Sequence, residues 1–492
     1  MRGDGERPHR RPGGVTGKLL LALGCAATVV AAACGTEPGV ENVLLISIDT
    51  LRADRLGSYG YDRPTSPSLD RLAAEGARFS DAVSNAAWTT PSHMTLMTSL
   101  QPSSHTVMQD WAAFLEFREG NFRYRTLPES VTTLAQVLHD AGFETLALTG
   151  GGPIASDLGF GRGFDVYVEG PRKLSAATWS QLTRWIEDPG RRPFFIFFHT
   201  FEVHAPYLRL DLARDVLSTE EAAALERFIH SSEEHTEDDL RIYLQQAGLY
   251  RVEVTSRLYD SGIRFTDRFL GRLFDALREN GLWDRTLVVV TSDHGEEFAD
   301  HRRGKFYNNH CHTLYEEIIR VPLIVRVPGR FDDGRVIAGQ VRLLDVAPTL
   351  LDLLDLPIPA QMQGVSAVDR LEVPGAPATA PPEAFSEAIC FGPEQKSLRS
   401  RGMKYVVGFS EADERVGIPG VPAWEELYDL SQDPGETRDL SADSPEILAR
   451  MRERLFHYFR YEAVPVGDRD AAPRLAIDPE TERQLRALGY LN

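Results

Sequence analysis

The sequence predicts an α/β fold: a mostly parallel central sheet with helices on both faces, plus a smaller C-terminal α+β subdomain. Three observations predict it. Residues 43–48, 194–198 and 287–290 are apolar runs of strand length without polar alternation, as in strands buried on both faces. Stretches of helical spacing alternate with such runs, the pattern of parallel sheets. The first and third runs lead into acidic residues, Asp49 and Asp293. In sheets of this kind ligands bind just beyond the carboxyl ends of the strands.

The elements follow in order. After the first strand, Pro67-Ser68-Leu69-Asp70-Arg71-Leu72-Ala73-Ala74-Glu75-Gly76 reads as a short helix closed by glycine. Residues 131–142 have helical spacing, and a strand follows at 145–148. The strand at 194–198 leads into His199-Thr200-Phe201-Glu202-Val203-His204. A long helix is predicted over 254–280, with Tyr259, Ile263, Leu270, Leu273, Phe274 and Leu277 on its apolar face and Gly281 at its end. The strand before Asp293 comes next, then a strand at 322–327 and a helix at 346–354. Residues 373–382 are rich in Pro and Ala and read as a linker. Beyond them, 404–407 and 426–430 read as strands of a smaller sheet and 444–461 as a helix. The domain organisation is thus 42–372 and 383–492, joined by that linker.

A chain of 492 residues is too long for one core, and its 42% hydrophobic and 25% charged residues are ordinary for globular domains. The net charge of -19 argues against a nucleic-acid partner, which requires a basic surface. It does not argue against a small anionic substrate, because one metal ion can dominate a cleft. The N-terminus differs from the rest. Arg2, Arg7, Arg10, Arg11 and Lys18 precede an apolar stretch that ends Ala31-Ala32-Ala33-Cys34-Gly35. Residues 1–34 read as a secretory signal or a lipoprotein-type anchor with Cys34 as the lipidated residue, and 35–41 as a tether. An exported protein is expected, periplasmic or at the cell surface, held to the membrane through this anchor. Two cysteines remain in the globular part, Cys311 and Cys390, and their pairing stays open at this level.

Asp49, Asp293 and His294 would converge at one sheet edge. Two hard oxygen donors and an imidazole make a divalent-cation site. Calcium, magnesium and manganese suit the carboxylates, and zinc gains as histidines accumulate.

Five blocks follow one another in a familiar order: Asp49-Thr50-Leu51-Arg52-Ala53-Asp54-Arg55-Leu56-Gly57, Trp88-Thr89-Thr90-Pro91-Ser92-His93, Ser292-Asp293-His294-Gly295-Glu296, Leu314-Tyr315-Glu316-Glu317-Ile318-Ile319-Arg320-Val321-Pro322-Leu323, and the segment from Glu426 to Thr437. By these blocks the chain resembles the sulfatase branch of the alkaline phosphatase superfamily from residue 42 to 491. Sulfatases carry Cys or Ser at the Thr89 position, oxidised to formylglycine, and Arg at the His93 position. The threonine resembles instead the nucleophile of superfamily phosphodiesterases. The family's Gly-Lys block is also missing; the chain reads Leu148-Thr149-Gly150-Gly151-Gly152-Pro153 there.

The resemblance implies a metal-dependent hydrolase of sulfate or phosphate esters. Its metal ligands would be Asp49, Thr89, Asp293 and His294, with Thr89 as the metal-activated nucleophile. His204 and His310 are candidates for proton transfer, and Lys305 for offsetting charge on the transferring group. A second metal held by Glu202, His204 and His310 is the alternative to a single ion. His312 would replace His310 if the register shifts, His93 would brace the nucleophile loop, and Thr50 is either a weak ligand or a strand-end hydroxyl. The substrate expected is a small anionic ester, or a glycan or lipid bearing one. Two other readings stand beside this one: a phosphodiesterase or phospho-group transferase acting on envelope lipids or glycans, and a degenerate binding protein.

Overall fold

The computed structural model describes residues 39–108, 123–188, 190–232, 235–301, 310–372, 383–387, 390, 394–409, 422–467, 474–476 and 483. The leader and anchor expected at 1–34, the linker at 373–382 and Lys305 lie outside them. The chain from Pro38 onward forms one compact unit. Among the described residues no helix is long and apolar enough to cross a membrane.

The strands are β1 Asn42–Ile48, β2 Ala77–Val83, β3 Arg123–Arg125, β4 Glu144–Thr149, β5 Val166–Glu169, β6 Phe194–Thr200, β7 Thr286–Thr291, β8 Arg320–Arg326, β9 Arg335–Arg342, β10 Ala384–Ser386, β11 Gln395–Ser400, β12 Met403–Gly408, β13 Trp424–Asp429 and β14 Arg474–Ala476. Eight of them form the main sheet in the order β5-β4-β6-β1-β7-β8-β2-β9. All its pairings are parallel except those of β8 with β7 and β2. β1, β6 and β7 are buried along their whole lengths. Alternate residues feed two separate cores. Val43, Leu45, Phe195, Phe197, Leu287 and Val289 face one, and Leu44, Ile46, Phe194, Ile196, Val288 and Val290 face the other. That two-sided burial is why these strands read as unbroken apolar runs.

β8 contains Pro322, an unusual residue inside a sheet because it cannot donate to the ladder. It is tolerated here because the β2 pairing shifts register between Phe79 and Ala82, opposite that position, and β7 pairing begins only at Leu323.

The helices that matter for the site are α1 Pro67–Ala74, α2 Thr89–Thr98, α3 Leu134–Asp140, α4 Ala176–Glu187, α5 Val252–Glu279, α6 Val346–Leu353 and α7 Pro445–Tyr461. The helix expected over 131–142 is shorter, because Thr133 and Gln136 form a reciprocal capping box that starts it at Leu134. Helix α2 was not legible in the sequence. All ten of its residues are buried, polar ones included, so no amphipathic stripe marks it.

β10–β13 make a separate antiparallel sheet. Met451, Leu455 and Tyr458 of α7 pack on it against Phe385, Leu398, Tyr405 and Leu427. β3 and β14 pair as a further two-stranded ribbon. Buried charges join the small sheet to the large one. Lys404 Nζ lies 3.1 Å from Glu316 and 2.8 Å from Glu436, and Arg399 pairs with Asp81 at 2.7 Å. Cys311 and Cys390 form a disulfide, which answers the pairing left open above. Removing one partner of a buried ion pair strands the other. Lys404→Met is therefore expected to destabilise the protein by about 3–5 kcal/mol, and a lowered midpoint in thermal unfolding checks it.

Candidate active site

β6, β1 and β7 are neighbours, and the site forms where they end. Asp49 follows β1 and Asp293 lies two residues past β7. Both are fully buried. The chain turns sharply at Thr50, which takes a left-handed backbone at φ 58°, strained for a β-branched residue. The turn is held across the gap: Thr50 N–H donates to Asp293 Oδ1 at 3.2 Å and Leu51 N–H to Ser292 Oγ at 2.8 Å. The Thr50 hydroxyl donates to Asp49 O at 2.7 Å, so it is a strand-end hydroxyl rather than a ligand.

Thr89 opens helix α2, where the backbone dipole favours an anion. Its Oγ1 donates to Asp49 Oδ2 at 3.2 Å and lies 3.5 Å from His294 Nε2. His294 Nδ1–H donates to Gly295 O at 2.9 Å, which turns Nε2 toward Asp293 Oδ2, 3.2 Å away. Gly295 permits this turn because a Cβ there would lie 2.0 Å from Glu317 O. Asp49 Oδ1 and Asp293 Oδ2 accept no hydrogen bond among the described residues. Two buried carboxylates with unmet oxygens beside an oriented imidazole fit a divalent cation. Asp49, Asp293 and His294 present ligand atoms within 4.8 Å of one another.

Two further groups meet that spacing: Asp49 with His93 and His199, and His301 with Glu317 and Glu436. In the first, the histidines are already committed. His93 Nδ1–H donates to Thr89 O at 2.9 Å and its Nε2 accepts from Ser47 Oγ at 2.8 Å. His199 Nε2–H donates to Asp49 Oδ2 at 3.2 Å. Burial pushes His93 down to about 4 and His199 down to about 3, so both act as neutral supports for the ligands. In the second group, Glu436 already pairs with Lys404.

The histidines on the other side of Thr89 form an array. The His310 ring lies 4.4 Å from the His294 ring, tilted to it, and meets the His204 ring edge-on at 4.9 Å. Its Nδ1–H donates to Glu296 Oε1 at 3.0 Å, and Tyr207 OH donates to Glu296 Oε2 at 2.8 Å. His204 Nδ1–H donates to Ala205 O at 2.7 Å. His312 points instead to Glu297, 2.7 Å away, so the register puts His310 at the site.

The second metal set considered above is not assembled, which corrects that expectation. The Glu202 carboxylate accepts from Leu174 N–H at 2.8 Å and from Arg209 Nε at 2.8 Å. Both its oxygens are thus engaged, one by Leu174 ahead of α4 and the other by Arg209, while the His204 and His310 rings lie 4.9 Å apart. Sequence reasoning also passed over Ser47, His199, Glu296 and Tyr207. The first two had a signal: each is a polar residue that interrupts an apolar run near the carboxyl end of its strand.

The carboxyl edge of this mostly parallel sheet thus gathers two carboxylates, an imidazole and a helix-borne hydroxyl, a donor set that suits a divalent cation. Residues 41–356 match the family described as Sulfatase, and the chain belongs to that family. It is similar to Delta 4,5-hexuronate-2-O-sulfatase of Bacteroides thetaiotaomicron, 24% identical over 497 residues, covering 90% of this chain and 95% of that protein. It is 30% identical to Arylsulfatase K of Bos taurus over 206 residues, 40% of this chain. The match spans 35% of that relative's length. The fold is also that of the phosphonate monoester hydrolase of Agrobacterium radiobacter, with a TM-score of 0.60, 21% identity, and coverage of 89% of this chain and 100% of that one. Sulfatases are divalent-metal dependent, in keeping with the donor set at Asp49.

Metal binding is expected to stabilise the fold by mass action. Manganese, zinc, calcium or magnesium should raise the unfolding temperature, and Asp293→Asn should abolish the rise. Burial lifts Asp49 to about 6 in the metal-free protein. A cation must displace that proton, so affinity should climb as pH rises toward about 6 and level off above it. Titration calorimetry across pH 5 to 8 reads this.

Proposed function

We propose that this chain is an exported hydrolase of sulfate or phosphate esters that uses Thr89 as its nucleophile. The observation that supports this most directly is the placement of Thr89 Oγ1, 3.2 Å from Asp49 Oδ2 and 3.5 Å from His294 Nε2, at the rim of the cation-binding set. Asp49, Asp293 and His294 would hold the ion, and Thr89 would share it. A bound divalent cation lowers the pKa of a hydroxyl and polarises an ester oxygen.

The residues of the chain supply the rest. The Thr89 hydroxyl is held by its hydrogen bond to Asp49 Oδ2 at 3.2 Å. Attack forms a bond from Thr89 Oγ1 to sulfur or phosphorus and breaks the bond to the leaving oxygen. Water then releases the group from the threonine. His204 and His310, both protonated on Nδ1, present a basic Nε2 that would take the Thr89 hydroxyl proton and pass it to the leaving oxygen, then take a proton from that water and return it to Thr89 Oγ1. Glu296 keeps the His310 tautomer fixed, and Tyr207 keeps Glu296 fixed. Helix α2 adds its N-terminal dipole under the transferring anion. Lys305 would offset further charge there.

The hexuronate 2-O-sulfatase relative favours a sulfated sugar as substrate, and the phosphonate hydrolase likeness favours a phosphorus ester. A leader and lipid attachment at Cys34 would place the enzyme outside the cytoplasm, facing envelope glycans or lipids.

Thr89→Ala is expected to lower turnover at least about 1000-fold while keeping the metal-induced rise in unfolding temperature. The assay spans aryl sulfate, phosphate monoester, phosphodiester and phosphonate monoester. Intact mass of protein quenched during turnover identifies a sulfuryl or phosphoryl adduct on Thr89. Failure of the wild type to turn over any of the four, with each metal, would refute the proposal.

A further inference from the structure

His204 sits on the turn that leaves β6, and that turn has few regular backbone partners of its own. Phe201 O accepts from His204 N–H at 3.2 Å. The remaining support comes from a segment remote in sequence. Lys173, half-buried ahead of α4, sends Nζ to three main-chain oxygens of this turn. The distances are 2.9 Å to Phe201 O, 3.3 Å to Glu202 O and 2.7 Å to His204 O. The next residue reinforces it, since Leu174 N–H donates to Glu202 Oε2 at 2.8 Å. Arg209 closes the other side of Glu202 at 2.8 Å.

We infer that Lys173 is a positioning residue for the reaction: its ammonium gathers the carbonyls of residues 201, 202 and 204 and thereby fixes the His204 ring against His310. Burial pushes this amine down to about 7; in its protonated form it has three donors, and three carbonyls accept here. None is left for a substrate anion, so Lys173 acts through His204 rather than as a substitute for the Gly-Lys block that this chain lacks. The point charge and free rotation of an ammonium suit three converging carbonyls, whereas the planar fork of arginine does not. Without it, three carbonyls face one another at the base of the turn, and their repulsion moves the histidine they support. A shift of the order of 1 Å in a catalytic group costs about 100-fold in rate.

The inference rests on the hydrolase reading, and the test separates the two. Wild type, Lys173→Met, Lys173→Gln, His204→Ala and the Lys173→Met/His204→Ala double variant are assayed on the best substrate of the four-ester panel. Lys173→Met is expected to lower kcat about 10- to 100-fold with KM within about twofold, and Lys173→Gln, which still donates to two carbonyls, to regain part of it. Inhibition by inorganic sulfate or phosphate should be unchanged in Lys173→Met. The double variant should be no slower than His204→Ala, because both changes remove one function.

Four results would overturn the inference: an undiminished kcat in Lys173→Met, a double variant slower by the product of the two single effects, a weakened product inhibition constant (the mark of a cation that touches the anion), or an unfolding temperature more than about 10 °C lower in both Lys173 variants. Wild-type inactivity on the whole panel defeats the hydrolase reading itself. Wild-type turnover with an intact Lys173→Met defeats only the inference.

Discussion

Two carboxylates with no exposed surface, meeting where adjacent parallel strands end, set the terms for the rest of this protein. Asp49 and Asp293 are brought together by the pairing of β1 with β7, and the turn after β1 is tied directly to Asp293. Concentrating two anions in a low-dielectric interior is unfavourable unless a cation joins them. Burial pushes Asp49 up to about 6, the cost of taking that carboxylate out of water. Strain at Thr50, the glycine at 295 and the serine at 292 all serve to hold this arrangement open.

Around the carboxylates the protein uses neutral imidazole rather than positive charge. His93, His199, His204 and His310 are all buried, and burial pushes each below its ordinary value. Each has Nδ1 or Nε2 committed to a backbone oxygen or a carboxylate. An uncharged ring with one nitrogen committed has a defined tautomer, so the arrangement orients side chains without adding charge that would compete with a bound cation. His93 links helix α2 to β1 through Thr89 O and Ser47.

The C-terminal part of the chain reaches the loop before Thr89 at more than one place. Glu387 N–H donates to Asn85 O at 3.0 Å and Ser386 Oγ to Ser84 O at 2.6 Å. Cys311 N–H donates to Ala87 O at 3.1 Å, and Cys390 N–H donates to Cys311 O at 2.8 Å. With the Cys311–Cys390 disulfide, these bonds fasten His310 between the nucleophile loop and the small subdomain. The buried Lys404 cluster anchors the same region from the other side. The C-terminal part thereby helps to locate His310.

The sequence alone determined the layered α/β plan and the positions of the strands that build the site. Residues buried on both faces of a sheet must be apolar throughout, and that leaves a visible run. It also placed Asp49 and Asp293 together, since both terminate such runs. Only the tertiary structure decided which neighbours surround them. Helix α2 carries no periodic signal because every side of it is buried. His199 and Glu296 take their meaning from strands and loops more than a hundred residues from Asp49 or from the hydrogen bond that one histidine makes. Glu202, adjacent in sequence to plausible ligands, is claimed by Leu174 N–H and Arg209 instead. Whether a polar side chain coordinates, supports or merely pairs depends on what else reaches it in space, and long-range packing fixes that after local pattern has chosen the elements.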